Sequence, residues 1–444
     1  MPQLDTRPVR RLVAPFLRFV QLESGGSLVL LFATVAALIL ANSHLAPAYF
    51  DFLRVRIGGN ADHFSFQWTI RNWVNDGLMT IFFLTVGLEV KRELLVGELA
   101  SLQRALLPVL GALGGVLVPA ILYSILNHGD PTAQGWGVPI ATDIAFSLAV
   151  LTLFGSRIPL GLKVFLVTLA IVDDIAGVIV IATVYTHTLR PGYLAIACLF
   201  FALCLVLNRL GVKRLSVYMI AGIALWWSVY ESGIHATLAG VLLAVTIPLR
   251  NFLPPDTFVH RGRERLEEFA KLAQHAGPRS HEARHQLHRI QEGLELSESP
   301  LDRLQTKLHP WVSFAIMPLF AFINAGIPLR GIHPGAVHDP VFFGVLLGLL
   351  LGKPAGITLF SRIAVSLRLA ELPHGVLWKQ LHAVSWLGGI GFTISIFIAG
   401  LAFNAEREYT LARIAVLAAS ACAAVAGTLL VAMTCTRRQR NNLG

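Results

Sequence analysis

The stretch LKVFLVTLAIVDDIAGVIVIATVY, residues 162–185, decides how the rest of the chain is read. It carries no charge beyond Lys163 and the adjacent pair Asp173 and Asp174, and it is long enough to cross a bilayer as a helix. A bare charge in hydrocarbon costs at least ~2.5–3.5 kcal/mol. Two carboxylates in succession double that cost and repel each other, so the pair is tolerable only where it faces a wet cavity, takes up protons or holds a cation. Neighbouring residues of an α-helix point about 100° apart. Asp173 and Asp174 therefore cannot meet one partner head-on, and one can bind a cation while the other bonds a protein group.

The composition agrees with a membrane setting. Charged residues make up 14% of the chain and hydrophobic residues 55%, with a mean hydropathy of +0.65, whereas ordinary soluble domains are ~25% charged. At about 20 apolar residues per span, twelve spans are expected, centred near residues 36, 83, 114, 147, 174, 201, 221, 241, 319, 351, 390 and 421. The expected fold class is an all-α polytopic membrane protein. Residues 1–434 are expected to form one transmembrane domain, followed by a cytoplasmic tail at 435–444. The first apolar run, preceded by several arginines, is read as an uncleaved span.

The net charge of +10 is unevenly placed. Arg7, Arg10, Arg11 and Arg18 precede the first span, Lys91, Arg92 and Arg104 follow the second, and Arg157 and Lys163 follow the fourth. Arg209, Lys213 and Arg214 follow the sixth, Arg362, Arg368 and Lys379 the tenth, and Arg437, Arg438 and Arg440 the last. The alternate loops, such as NHGDPTAQGWG and SGIHA, are nearly free of Lys and Arg, with Arg54 and Arg56 as the exception. This pattern predicts both termini in the cytoplasm.

Two segments outside the spans stand out. Residues 250–308 form the one long polar stretch, with balanced charges and a helical look around ERLEEFAKLAQHA and HEARHQLHRIQEGLEL, and are expected to be a solvated cytoplasmic loop. In residues 50–68, DFLRVRI and HFSFQWT alternate apolar and polar residues around GGNAD, which predicts an outer β-hairpin. Its exposed edges could pair two copies of the chain into a homodimer. The four cysteines lack metal-ligand spacing. Neither a cofactor nor a nucleic-acid partner is expected.

Chemistry belongs to the ionisable residues within spans. These are Asp76, Glu89, Asp143, Asp173, Asp174 and Lys353. Glu89, close to Lys91, Arg92 and Glu93, marks the cytoplasmic end of a helix and could line a funnel. Asp76 is either a cap at that helix's outer end or an accessory acid. Asp143 is either a helix-dipole partner or an ion contact. Lys353 reads as the only basic residue near the middle of a span, and a buried lysine seeks a carboxylate, with Asp173 the first choice and Asp143 the second. Two spans look interrupted. Pro139 precedes Thr142 and Asp143, and Gly388, Gly389 and Gly391 precede Thr393. Both features weaken the helical ladder at mid-membrane depth, and TDIAFSLA faintly resembles TISIFIAG. Broken segments in corresponding positions of two repeats point to a transporter's binding site. Asp143 could offset the positive N-terminal end of a half-helix and Lys353 the negative C-terminal end.

The strings FFLTVGLEVKREL, PIATDIAFSLAVL, LAIVDDIAGVIVIA, SGIHATLAGVLLA, LHPWVSFAIMPLFAFINAG, LGKPAGI and GGIGFTISIFIA resemble the NhaA-type bacterial sodium/proton antiporters, from the first span to the twelfth. The resemblance implies twelve helices with an inverted repeat, the fourth and eleventh unwound where they cross, an arrangement for which this family is a known example. It implies that Asp174 is the principal sodium and proton carboxylate, Asp173 its partner and Lys353 the salt-bridge lysine. Thr142 and Asp143 resemble the residues at the helix crossing, and Asp76 and Glu89 match acidic positions of the second helix. The pH-response region would lie around Glu89 and the segment before His309. There this chain departs from the pattern. Many members carry an acidic residue and a second histidine just before LHPW, where this chain has Gln305, Thr306 and Lys307.

The implied activity is exchange of cytoplasmic Na+ or Li+ for external H+ across the bacterial inner membrane. It would be electrogenic and pH-regulated, serving sodium and pH homeostasis among membrane lipids. Proton and cation would compete for the same carboxylate oxygens, with Glu89 and His309 modulating the mouth. A cation channel would use the same acidic cavity, but broken crossed helices suit alternating access better. An intramembrane aspartate enzyme fits less well, because the pair lacks a GxGD context and no third aspartate follows it.

Overall fold

The structure is a computed structural model that describes residues 25–61, 64–129, 131–186, 189–250, 255–276, 280–329, 335 and 338–435. The arginines at positions 7, 10, 11, 18, 437, 438 and 440, and the tail from 436 onward, lie outside the described residues.

The described residues begin with α1 (Gly25–Ala41), which is followed by α2 (Ala46–Arg54) after a bend of 113°. A hairpin of β1 (Arg56–Ala61) and β2 (Phe64–Thr69) comes next, antiparallel, with Arg56 opposite Thr69 and Gly58 opposite Gln67. The second span enters through a π turn, Trp73–Leu78, and continues as α3 (Met79–Val96). Then follow α4 (Leu102–Leu126), a 3-10 segment (Pro131–Ile140) leading to α5 (Ile144–Thr152), α6 (Leu160–Val184), α7 (Pro191–Arg209), α8 (Leu215–Glu231) and α9 (Leu238–Thr246). Two polar helices, α10 (Pro255–Ala276) and α11 (His281–Ser297), occupy the long loop. The remainder comprises α12 (Pro300–Trp311), α13 (Met317–Asn324), α14 (Pro340–Leu347), α15 (Lys353–Ser366), α16 (Trp378–Leu387), α17 (Phe392–Ala402) and α18 (Glu406–Cys435). π turns join α12 to α13 and α14 to α15.

By length and composition, seven of the described helices can cross a membrane, or nine if each bent pair is one span. The twelve expected centres all fall on helices, on π turns continuous with them or, near residue 390, on the break between α16 and α17. The shorter count has physical reasons. α3 ends in Glu89, Lys91, Arg92 and Glu93, and α9 has nine residues, a rise of about 14 Å.

Three boundaries differ from expectation. Asp51–Arg54 is helical rather than the start of a strand, because Pro47 opens α2 and Tyr49 and Leu53, one turn apart, are buried. Tyr49 packs edge-on to Phe322, with ring centroids 5.5 Å apart. The polar loop ends before residue 300. Ser299 accepts the Asp302 N–H and Pro300 follows it, a start signal that makes residues 300–308 the first turns of a span helix. Asp76 is not a helix cap. That role falls to Thr69, which accepts the Asn72 N–H at 3.2 Å as β2 runs straight into the helix.

The broken spans cross at their breaks. Pro139 lies in the 3-10 segment and residues 141–143 are non-helical, so backbone groups there look for partners outside their own helix. They find them on the other break: Asp143 N–H donates to the Ile390 carbonyl at 2.6 Å. Ser147 Oγ donates to the Leu387 carbonyl and Ser395 Oγ to the Val138 carbonyl, each at 2.8 Å. Gly391 permits this approach, since an added Cβ would lie 3.1 Å from the Ala141 carbonyl and overlap Ser395 Oγ. α4 and α15 are drawn equally close, with Gly114 and Gly356 each facing the other's carbonyl where no Cβ fits.

Candidate functional site

α6 carries Asp173 and Asp174 past the crossing, and the two carboxylates meet different surroundings. Asp173 is fully buried. Its Oδ2 lies 2.7 Å from Lys353 Nζ and accepts from Thr142 Oγ1 at 2.7 Å. The Gly388 carbonyl, at 2.8 Å, is a second acceptor for that hydroxyl. Lys353 opens α15 just after the π turn Gly348–Gly352, and the close α4–α15 packing brings its ammonium inward. It also donates to the Ile140 carbonyl, the last of the 3-10 segment. One ammonium thus serves a carboxylate and the negative end of a broken helix.

Asp143 does the converse. Its side chain accepts the Phe146 N–H at 3.2 Å, capping α5. Its Oδ2 accepts the Thr393 hydroxyl at 2.5 Å and the Thr393 N–H at 3.2 Å, at the start of α17. One carboxylate therefore faces the positive ends of both half-helices. Thr393 was quoted in the sequence only as the residue after the glycines, and its part became legible only once the two breaks were in contact.

Asp174 is 5% exposed and its Oδ1 has no hydrogen-bond partner among the described residues. Asp173 Oδ1 is likewise unpartnered. Asp174 shares a cavity of about 240 Å³ with Glu89, Asp143, Gln305 and His309. Gln305 and His309 also line a wider vestibule of about 950 Å³, beside Arg92 and Asp302, whose side chains lie 3.6 Å apart. The mouth residues and Asp174 are thus joined by a continuous lining, with Asp173 buried behind it. Asp76 lies apart, half-buried in the π turn, with its carbonyl accepting from Thr80 Oγ1 at 2.6 Å and from the Trp226 indole at 3.0 Å.

One buried charge escaped the sequence reading. Arg413 on α18 is 1% exposed, so Lys353 is not the only buried basic residue in a span. It stacks on the Tyr409 ring at 4.1 Å and donates to the Asn324 carbonyl at 3.2 Å, away from the aspartates. Its neighbours in NAEREYTLAR are polar, so in sequence it reads as the edge of a span.

Unpartnered carboxylate oxygens in a buried cavity, with a hydroxyl and carbonyls nearby, form an oxygen donor set suited to a hard cation or to protons. A family model described as Na+/H+ antiporter 1 matches residues 17–431. The Na(+)/H(+) antiporter NhaA of Koribacter versatilis is 46% identical to this chain, over 96% of it and 92% of that protein. The protein of the same name from Wolinella succinogenes is 41% identical, over 96% and 95%. That of Escherichia coli strain UTI89 is 42% identical, over 92% and 96%.

Proposed function

The chain belongs to the Na+/H+ antiporter 1 family, and from that membership we propose that it exchanges cytoplasmic Na+, or Li+, for external H+ across the bacterial inner membrane. The observation that carries the reading is the division within the pair: Asp173 is held by Lys353 and Thr142, while Asp174, on the cavity wall, keeps an unpartnered oxygen. A site of that kind holds a proton or a cation, but not both.

Loading begins at the vestibule, with His309 at its inner edge and Glu89 in the cavity beyond tuning the approach. A sodium ion that reaches Asp174 displaces its proton and gathers oxygens from Asp174 and Asp173, joined by the Thr142 hydroxyl and by break carbonyls that give up their present donors. Asp143 and Lys353 offset the ends of the broken helices, so the crossing tolerates a cation arriving or leaving. Access alternates as the crossed pair moves, sodium leaves outward and a proton takes its place. If the Asp173–Lys353 contact opens in each cycle, a second proton is carried. Exchange is then electrogenic and driven by the membrane potential, which is worth ~2.3 kcal/mol per elementary charge per 100 mV. pH control follows from the competition itself. The hairpin edges join two copies, and both termini face the cytoplasm.

Transport in everted vesicles tests this reading. With an acid interior imposed, added Na+ or Li+ should collapse the gradient in wild type, saturably, and fail to do so in Asp174→Asn. A conductance with no obligatory proton movement would favour a channel.

A further inference from the structure

A second cavity reaches Asp174 from the side. It measures about 350 Å³ and lies between α6 on one wall and α3 and α9 on the other. Apart from Asp174 and Lys91 its lining is apolar, with Val90, Val178 and Val241 among the walls. Ile179 and Val245, which also line it, are each about half exposed. On helices that cross a bilayer, such side chains face lipid.

The two polar groups differ in availability. Lys91 donates to the Val245 carbonyl at 2.6 Å and to the Ile247 carbonyl, so its ammonium is committed to the end of α9. Asp174 keeps Oδ1 unpartnered. The same carboxylate lines the polar cavity of Glu89 and His309. Asp174 thus stands between a wet approach and a dry one.

A dry groove that ends in one unpaired carboxylate is complementary to an aliphatic chain with a single cationic head. Its volume falls within the ~300–1,000 Å³ of ligand pockets. The geometry points to a lateral site for lipophilic primary ammonium ions, which enter from the bilayer, set the ammonium on Asp174, lay the chain between α6 and α3–α9, and block exchange. The inference rests on the reading of Asp174 as the exchange carboxylate. An occupant excludes Na+ by charge and wedges α6 away from α9 by bulk, so it competes without being carried. A neutral chain of equal length, or a phospholipid acyl chain, brings no charge to offset the buried carboxylate, which is unfavourable.

The test is counterflow of radiolabelled sodium into proteoliposomes at equal pH on both sides, so that proton carriage by the amine itself is immaterial. Octylammonium should inhibit, with a half-inhibitory concentration that rises linearly with Na+, whereas octan-1-ol should not. Ile179→Trp, which fills the groove from outside the ion site, should raise that concentration about tenfold while uninhibited counterflow is retained. Val245→Trp, on the opposite wall, serves if the first variant does not insert. Inhibition that ignores Na+, is matched by octanol, or is unmoved in both variants would overturn the site. Absence of counterflow in wild type would instead defeat the exchange reading. The groove is then read by melting in detergent: octylammonium should stabilise wild type but not Asp174→Asn, and equal or absent stabilisation would overturn it.

Discussion

Asp173 and Asp174 are neighbours on one helix, and the ~100° between successive side chains gives each a separate task. Asp173 bonds inward to Lys353 and Thr142, and Asp174 turns to the cavity. Asparagine at either position keeps the shape and removes a titratable oxygen. Exchange in vesicles should therefore be abolished in both variants while the protein still inserts. Lys353→Ala strands the Asp173 carboxylate and the Ile140 carbonyl in a fully buried place. Breaking a buried pair in this way costs ~3–5 kcal/mol unless the carboxylate takes up a proton. The melting temperature in detergent should fall, and Lys353→Arg should recover part of the loss. An alanine variant that melts with wild type would show that the bridge carries no stability.

The half-helices depend on one another more than on their own sequences. Asp143 accepts from the starts of both α5 and α17, so Asp143→Ala should lose about 0.5–2 kcal/mol at each start. Asn keeps only one accepting oxygen, enough for one of the two starts, so Asp143→Asn should melt between Asp143→Ala and wild type; an Asn variant as unstable as the alanine variant would show that capping is not what Asp143 contributes. In the hairpin, Trp68 is buried against Trp226 and Tyr230, with ring centroids 5.6 and 4.8 Å away. Replacing residues 58–66 by a shorter turn therefore spares this anchor while removing the paired edges. Dimers seen by crosslinking or native mass measurement should weaken and exchange should persist; a dimer of undiminished stability would place the contact elsewhere. The breaks were legible only in combination, since the unbroken α4 also carries Pro108, Pro119 and clustered glycines; what singled out the two broken spans was their company, Thr142 and Asp143 on one and the paired aspartates nearby in the chain. The pairing of Lys353 with Asp173 was legible for a similar reason, since a buried ammonium needs a carboxylate. Thr393 as a partner of Asp143, and Ile140 as a partner of Lys353, were not, because both contacts exist only across the crossing of two segments about 250 and 210 residues apart and no local pattern encodes them. α2 was missed because its alternating residues also fit a strand, and only the burial of Tyr49 and Leu53 on one face decides between the two.

Taken as a machine, the molecule links a broad vestibule, a narrow cavity and the Asp174 carboxylate through one lining. The loop histidines, His260, His275, His281, His285 and His288, sit on α10 and α11, outside that lining. Raising sodium should shift the pH–activity profile to lower pH, because more cation displaces the proton at a given acidity, and replacing the loop histidines by Gln should leave the profile in place. A profile indifferent to sodium but moved by those replacements would show a separate sensor. The competition can also be read without transport. Calorimetric titration of the purified protein with Na+, in two buffers of different ionisation heat, counts the protons released per ion bound. Wild type should release protons as Na+ binds, and Asp174→Asn should neither bind nor release; sodium binding with no proton release in wild type would contradict the account.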